Sequence, residues 1–202
     1  MSTPILHLPP KPGFRKITWQ PLSAVAATTS PFTFHTKVYE HEGQVRDVVC
    51  ELPAMRPDVA AEWRAFFLRL NGRAGRFYLR DTVGRRLRGQ GTGAPVFAAL
   101  DGPGNIEVTG FAANVAHILR PGDWISLADR LHEVLADVST DADGECTIPV
   151  WPAVRVAPSV GTALLVGPAA RGIFELIEMP EWAWDERRHF APLSFSAREV
   201  VP

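Results

Sequence analysis

The sequence predicts a mainly β protein with one main α-helix. Three observations carry that prediction. The 18 prolines and 16 glycines fall between short apolar runs, which favours short strands joined by turns over long helices. A single stretch, Pro57–Leu70, carries an apolar stripe at helical period. Between residues 106 and 166 about five short runs recur at near-regular spacing, the pattern of a small β-barrel or sandwich.

The elements follow in order. Residues 1–13 are proline-rich and cannot build a core; they form an extended arm, either loose or laid across a neighbouring surface. Phe32–Tyr39 and Gln44–Leu52 alternate loosely and flank Glu40-His41-Glu42-Gly43, so they are expected to form a hairpin turning at 40–43. Pro57 suits the first helical position because its missing amide needs no partner there. Asp58 and Glu62 lie near the positive end of the helix dipole. Val59, Trp63, Phe66, Phe67 and Leu70 recur at offsets of 4, 7, 8 and 11 from Val59, which places them on one face. Asn71-Gly72 ends the helix in left-handed geometry. Phe77-Tyr78-Leu79 then returns as a strand along the same core.

Gly84–Pro95 is a Gly/Arg-rich loop, and a domain boundary is placed near it. Strands are expected at Ile106–Phe111, Trp124–Leu127, Leu131–Val138, Cys146–Val150 and Ala163–Val166. Asp141–Gly144 is a turn by side-chain chemistry. Further strands are expected at Ile173–Met179 and Leu193–Val201. They would complete the first domain, dividing the chain into 1–95 with 169–202, carrying helix 57–70, and an inserted small β-barrel at 96–168.

At 202 residues and 46% hydrophobic content the core needs no metal or disulfide staple. Cys50 and Cys146 lie in apolar runs and are expected as buried, reduced thiols. A formal net charge of −1 gives no general attraction for nucleic acid. The N-terminal stretch has no basic start followed by an apolar run, and no window approaches the ~18 apolar residues of a membrane span. The expected location is the cytoplasm or an assembly made there.

Catalytic and metal motifs are not met. Aligned to a calcium loop, Ser139, Asp141, Asp143 and Gly144 fit, but Val150 stands where a bidentate Glu is needed. The glycines at 89, 91 and 93 lack the phosphate-loop ending. HExxH, CxxC and GxSxG are missing, and the six histidines have no ligand spacing. His132-Glu133 sits in an alternating strand and reads as a surface pair. No enzyme activity, metal or cofactor is expected.

The charge anomaly is arginine: residues 69, 73, 76, 80, 85, 86 and 88 crowd into 20 positions. They are either a solvated face or a protein–protein contact, since arginine is favoured at interfaces.

Three groups of motifs resemble the distal tail proteins of long-tailed phages, prophages and gene-transfer agents. The first is Ser30-Pro31-Phe32-Thr33 with the block 61–81 (AEWRAFFLRLNGRAGRFYLRD). The second is Pro121-Gly122-Asp123-Trp124-Ile125 with Leu131–Leu135 and the Asp143-Gly144 turn. The third is Ile148–Arg155 (IPVWPAVR) with Gly172–Leu176. Around 33–37, Phe34-His35-Thr36-Lys37 stands in place of smaller, Gly/Gln-richer residues.

The resemblance implies a tail-tube-like β-sandwich or barrel plus an inserted OB-like barrel. It implies a homomeric ring, usually hexameric, at the tail tip of the virion, assembled in the host cytoplasm. The tail tube protein would bind one side and hub or tip proteins the other. DNA would pass through the lumen unread, with no membrane contact. Trp63, Phe67, Leu70 and Phe77 would brace the subunit, and Arg73, Arg76, Arg80, Arg85 and Arg86 would lie at subunit contacts. The alternative is a carbohydrate- or receptor-binding module on the 96–168 barrel, served by exposed aromatics such as Trp151 and Trp182.

Overall fold

The alternating runs pair into two six-stranded sheets. They are seen in a computed structural model that describes residues 4–82, 87–102, 104–184 and 190–201. In chain order the strands are β1 (Leu6–His7), β2 (Lys16–Thr29), β3 (Thr36–Leu52), β4 (Phe77–Leu79), β5 (Gly93–Leu100) and β6 (Asn105–Phe111). There follow β7 (Trp124–Leu127), β8 (Arg130–Val134), β9 (Cys146–Trp151), β10 (Leu164–Val166), β11 (Gly172–Leu176) and β12 (Leu193–Glu199). The helix α1 spans Pro57–Leu70. Among the described residues the molecule is thus mainly β with one α-helix.

The first sheet runs β1-β4-β11-β12-β3-β2, antiparallel except for the parallel β1–β4 pair. The second runs β10-β7-β8-β9-β6-β5. A bridge between Val96 and Ala163 brings its two ends together, so this sheet is a nearly closed barrel. All strands of the second sheet fall between β4 and β11 in the chain. No helix among the described residues is long and apolar enough to cross a membrane.

Helix α1 forms where its periodicity places it. Pro57 occupies the first turn, and Asn71 (φ 50°) and Gly72 (φ 66°) end the helix in the left-handed region. Its buried face of Ala60, Trp63, Phe66, Phe67 and Leu70 packs on the inner face of the first sheet. Ring centroids of Phe67 and Phe195 lie 5.2 Å apart, and those of Phe66 and Phe77 5.6 Å. Each such burial contributes about 1.5–3 kcal/mol. The second core, around Phe97, Ile106, Ile125 and Ile148, fills the barrel. Leu131 of β8 belongs to the first core, so the two sheets share a packed boundary.

The N-terminal arm is laid down. Leu6 and Leu8 pack on the first core, and the Trp63 indole N–H donates to the carbonyl of Lys11 at 2.8 Å. The expected hairpin turn at 40–43 does not exist. β3 runs unbroken through those residues, pairs with β2, and the turn is at residues 30–35. The register steps from Ser23↔Gln44 to Val25↔Glu40, so His41, Glu42 and Gly43 bulge opposite Ala24 alone. Gly43 is a bulge glycine: a Cβ there would lie 2.7 Å from the Ala24 Cβ. Three expected strands end early, the last of them, β12, at Glu199 in place of Val201. β8 stops at Val134 and β11 at Leu176.

Candidate functional site

The β2–β3 hairpin is the first feature that packing within one chain does not explain. From Ser23 to Thr29 and from Thr36 to Glu42 every residue is exposed. At 3.3 Å per residue that half projects about 20 Å beyond the bulge. It carries Val25, Val38 and Tyr39, each more than half exposed, and ends in Phe32 and Phe34 at 92% and 81% exposure. The tip is a built turn: the amide of Phe34 donates to the Ser30 carbonyl at 2.9 Å, with φ 57° at Phe34. β2 is also a sheet edge, so one row of its backbone groups has no strand partner. Such an edge is a template for a further strand.

The second feature is the outer face of the first sheet. Alternation along β4 turns Phe77 and Leu79 inward and Arg76, Tyr78 and Arg80 outward. Arg73 is exposed and pairs with Glu175 at 3.1 Å. Arg198 holds Asp47 through two 2.7 Å contacts. Arg76 lines a groove of about 570 Å³ at the hairpin root, together with Arg155. Arg80 lines a separate cleft of about 390 Å³ beneath the N-terminal arm, with His7, Tyr78 and Arg171. Arg76 and Arg80 therefore share a face but serve different hollows. Arg85 and Arg86 lie outside the described residues. Trp63, Phe67, Leu70 and Phe77 are all buried in the first core.

The third feature, invisible to motif reading, is the boundary between the sheets. Arg46 lies on the inner face of β3 and reaches between Trp124 and Trp151, 4.6 and 4.7 Å from their ring centroids. It donates to the carbonyls of Leu131 and Trp151 at 2.6 and 2.7 Å. Glu199 accepts from the Leu131 amide at 2.8 Å. Arg130 donates to the Gln44 carbonyl at 2.9 Å, and the Gln44 side chain accepts from the Ala153 amide at 2.7 Å. Burial lowers Arg46 to about 10 and lowers Arg130, while Glu199 partly offsets both. Burial also raises Glu199, against the pull of Arg46.

His132 is not a surface residue. It is 1% exposed, and its Nδ1 lies 2.6 Å from the Pro152 carbonyl. A carbonyl only accepts, so Nδ1 carries a proton, a bond that by itself favours the charged ring. Burial holds it down to about 3, aided by the nearby cations Arg130 and Arg46. Arg46, Arg130 and Glu199 are bonded across the boundary and His132 within the barrel, which is a structural arrangement. The alternation Arg46, Val48, Cys50, Leu52 was the available signal for an inward Arg46.

Trp151 and Trp182 do not form an open aromatic platform. Both are half-buried, with Arg46 over one ring and Arg64 5.6 Å from the centroid of the other. Cys50 and Cys146 are free thiols, raised by burial to about 12 and about 11. Among the described residues no group of three or more His, Cys, Asp or Glu is placed to hold a metal ion. No protein-family model matches the chain, and no curated protein matches it in sequence.

Proposed function

We propose that the chain is the subunit of a structural ring in a phage-like tail, joining the end of the tail tube to hub or tip proteins. The observation that carries this reading is the projecting hairpin: its apolar side chains are exposed and its outer strand is an open edge. Exposed apolar surface of this kind marks an interaction site, and a second copy of the chain supplies a partner at every position of a ring. The resemblance of the 61–81 block and its companion motifs supplies the kind of ring. In that assembly the lumen passes DNA without reading it, and the barrel of β5–β10 faces outward. The boundary bonds of Arg46 and Arg130 keep the barrel in a fixed pose, as a stacked assembly requires.

Native mass spectrometry with negative-stain imaging tests the reading. The expected result is a closed ring of defined copy number with a central hole. A chain that stays monomeric at high concentration overturns it.

A further inference from the structure

We propose, on the ring reading above, that the hairpin of one copy seats its Val25–Val38–Glu40 face in the Arg76–Arg155 groove of the next copy, with carboxylates meeting guanidiniums. Neither surface is matched within its own chain among the described residues.

The groove has apolar walls from Leu22, Val45, Val200 and Val201, and the hairpin bulge forms one end of it through Ala24 and Gly43. Of its other charged groups, Arg198 is held by Asp47 and Glu175 by Arg73, while Glu199 is 2% exposed and accepts from the Leu131 amide through Oε1, its Oε2 having no hydrogen-bond partner among the described residues. Arg76 and Arg155 are exposed and form no ion pair among the described residues. Two cations beside an apolar floor fit an apolar strand that carries carboxylates.

The hairpin offers that strand. Glu40 stands opposite Val25 and Val38 opposite Ala27, so period 2 puts these four on one face. Lys37 and Tyr39 fall on the other face, which leaves the first with a carboxylate and no cation. Glu42 follows in the bulge, and neither glutamate has an ion pair among the described residues. Val25 and Val38 are 53% and 56% exposed. Charges at the rim of such a contact set partner and register more than affinity. The two patches differ, so the contact is heterologous and repeats from copy to copy, as ring closure demands.

Charge reversal tests the pairing in the full chain. The Arg76→Glu/Arg155→Glu variant and the Glu40→Arg/Glu42→Arg variant are each expected to fold normally by circular dichroism. Each is expected to elute as a single subunit by light scattering at concentrations where the unaltered chain is assembled. All four reversals in one chain are expected to restore the assembled size. If either double variant assembles normally, or the fourfold variant stays monomeric while folded, the hairpin–groove contact is wrong and the ring stands on another contact. If the unaltered chain never assembles, the ring reading fails and this contact with it.

Discussion

The Arg46 guanidinium donates to the Leu131 carbonyl at 2.6 Å, so a side chain of one sheet satisfies a backbone group of the other. Its charge also offsets that of Glu199, which is 2% exposed. Arg46→Met keeps the length and removes the cation, leaving Glu199 and two carbonyls short of a partner. Breaking a buried charged contact from one side costs about 3–5 kcal/mol. Urea unfolding followed by tryptophan fluorescence should show that loss, or two transitions as the sheets uncouple. A loss below about 1 kcal/mol would mean that the boundary is held by apolar packing alone.

The same boundary predicts a pH response with a definite sign. The folded-state pKa of His132 is depressed from 6.5 to about 3. Between those values the unfolded chain binds a proton that the folded chain refuses, so stability falls as pH drops, by about 1.4 kcal/mol per unit. Glu199 is shifted upward from 4.5, so just above that value it acts in the opposite direction. His132→Gln should flatten the stability profile between pH 6.5 and 5. An unchanged slope in denaturant midpoints would place the acid sensitivity elsewhere.

What the sequence disclosed follows from which faces are buried. Helix α1 was legible because its stripe contrasts with Glu62, Arg64 and Arg69 on the other face. The outer half of β2 was not, because Ser23–Thr29 is exposed on both sides and has no period-2 contrast to read. For the same reason Gly43 looked like a turn residue when it serves a bulge. The arginine crowding pointed to the outer face of β4. The partner of Arg76 across the groove, Arg155, lies in the segment after β9, and no local pattern joins them. His132 reads as a surface residue, and the role of Arg46 is not legible, because their companions Pro152, Trp124 and Trp151 meet them only in the fold.

Trp63 combines apolar burial with a hydrogen bond to the arm, and two substitutions separate the parts. Trp63→Ala should cost about 3–5 kcal/mol and abolish soluble protein. Trp63→Phe keeps most of the ring contacts with Phe66, Phe67 and Phe195 but leaves the Lys11 carbonyl unpaired. Its cost should be about 1–3 kcal/mol. Amide exchange should then rise in residues 5–13 and not in α1. Equal loosening of the helix would mean that the arm and the core are one unit.

Arg73 and Arg76, three residues apart, should behave differently. Arg73 is bonded to Glu175, with 65% of its side chain exposed, so Arg73→Glu loses at most about 1 kcal/mol and adds repulsion at an exposed site. Arg76 has no ion pair among the described residues, so Arg76→Glu should leave the melting temperature unchanged while weakening assembly. The double variant should stay folded and fail to form rings. Normal rings from it would remove this segment from the subunit contact.

The bulge decides where the projecting half of the hairpin points, and Gly43 decides the bulge. A Cβ at residue 43 meets the Ala24 Cβ at 2.7 Å, and neither atom is the end of a flexible side chain. Gly43→Val forces the two strands apart at the step from Ser23↔Gln44 to Val25↔Glu40. Overpacking of this kind costs about 1–3 kcal/mol, and here it falls on an element with no core beneath it. Amides of residues 25–29 and 36–40 should therefore lose exchange protection while those of β12 and α1 keep theirs. Assembly should fail with them, because the face of Val25, Val38 and Glu40 no longer has a fixed direction. If exchange in the hairpin is unchanged, the bulge does not depend on glycine and the backbone has room to carry a side chain there.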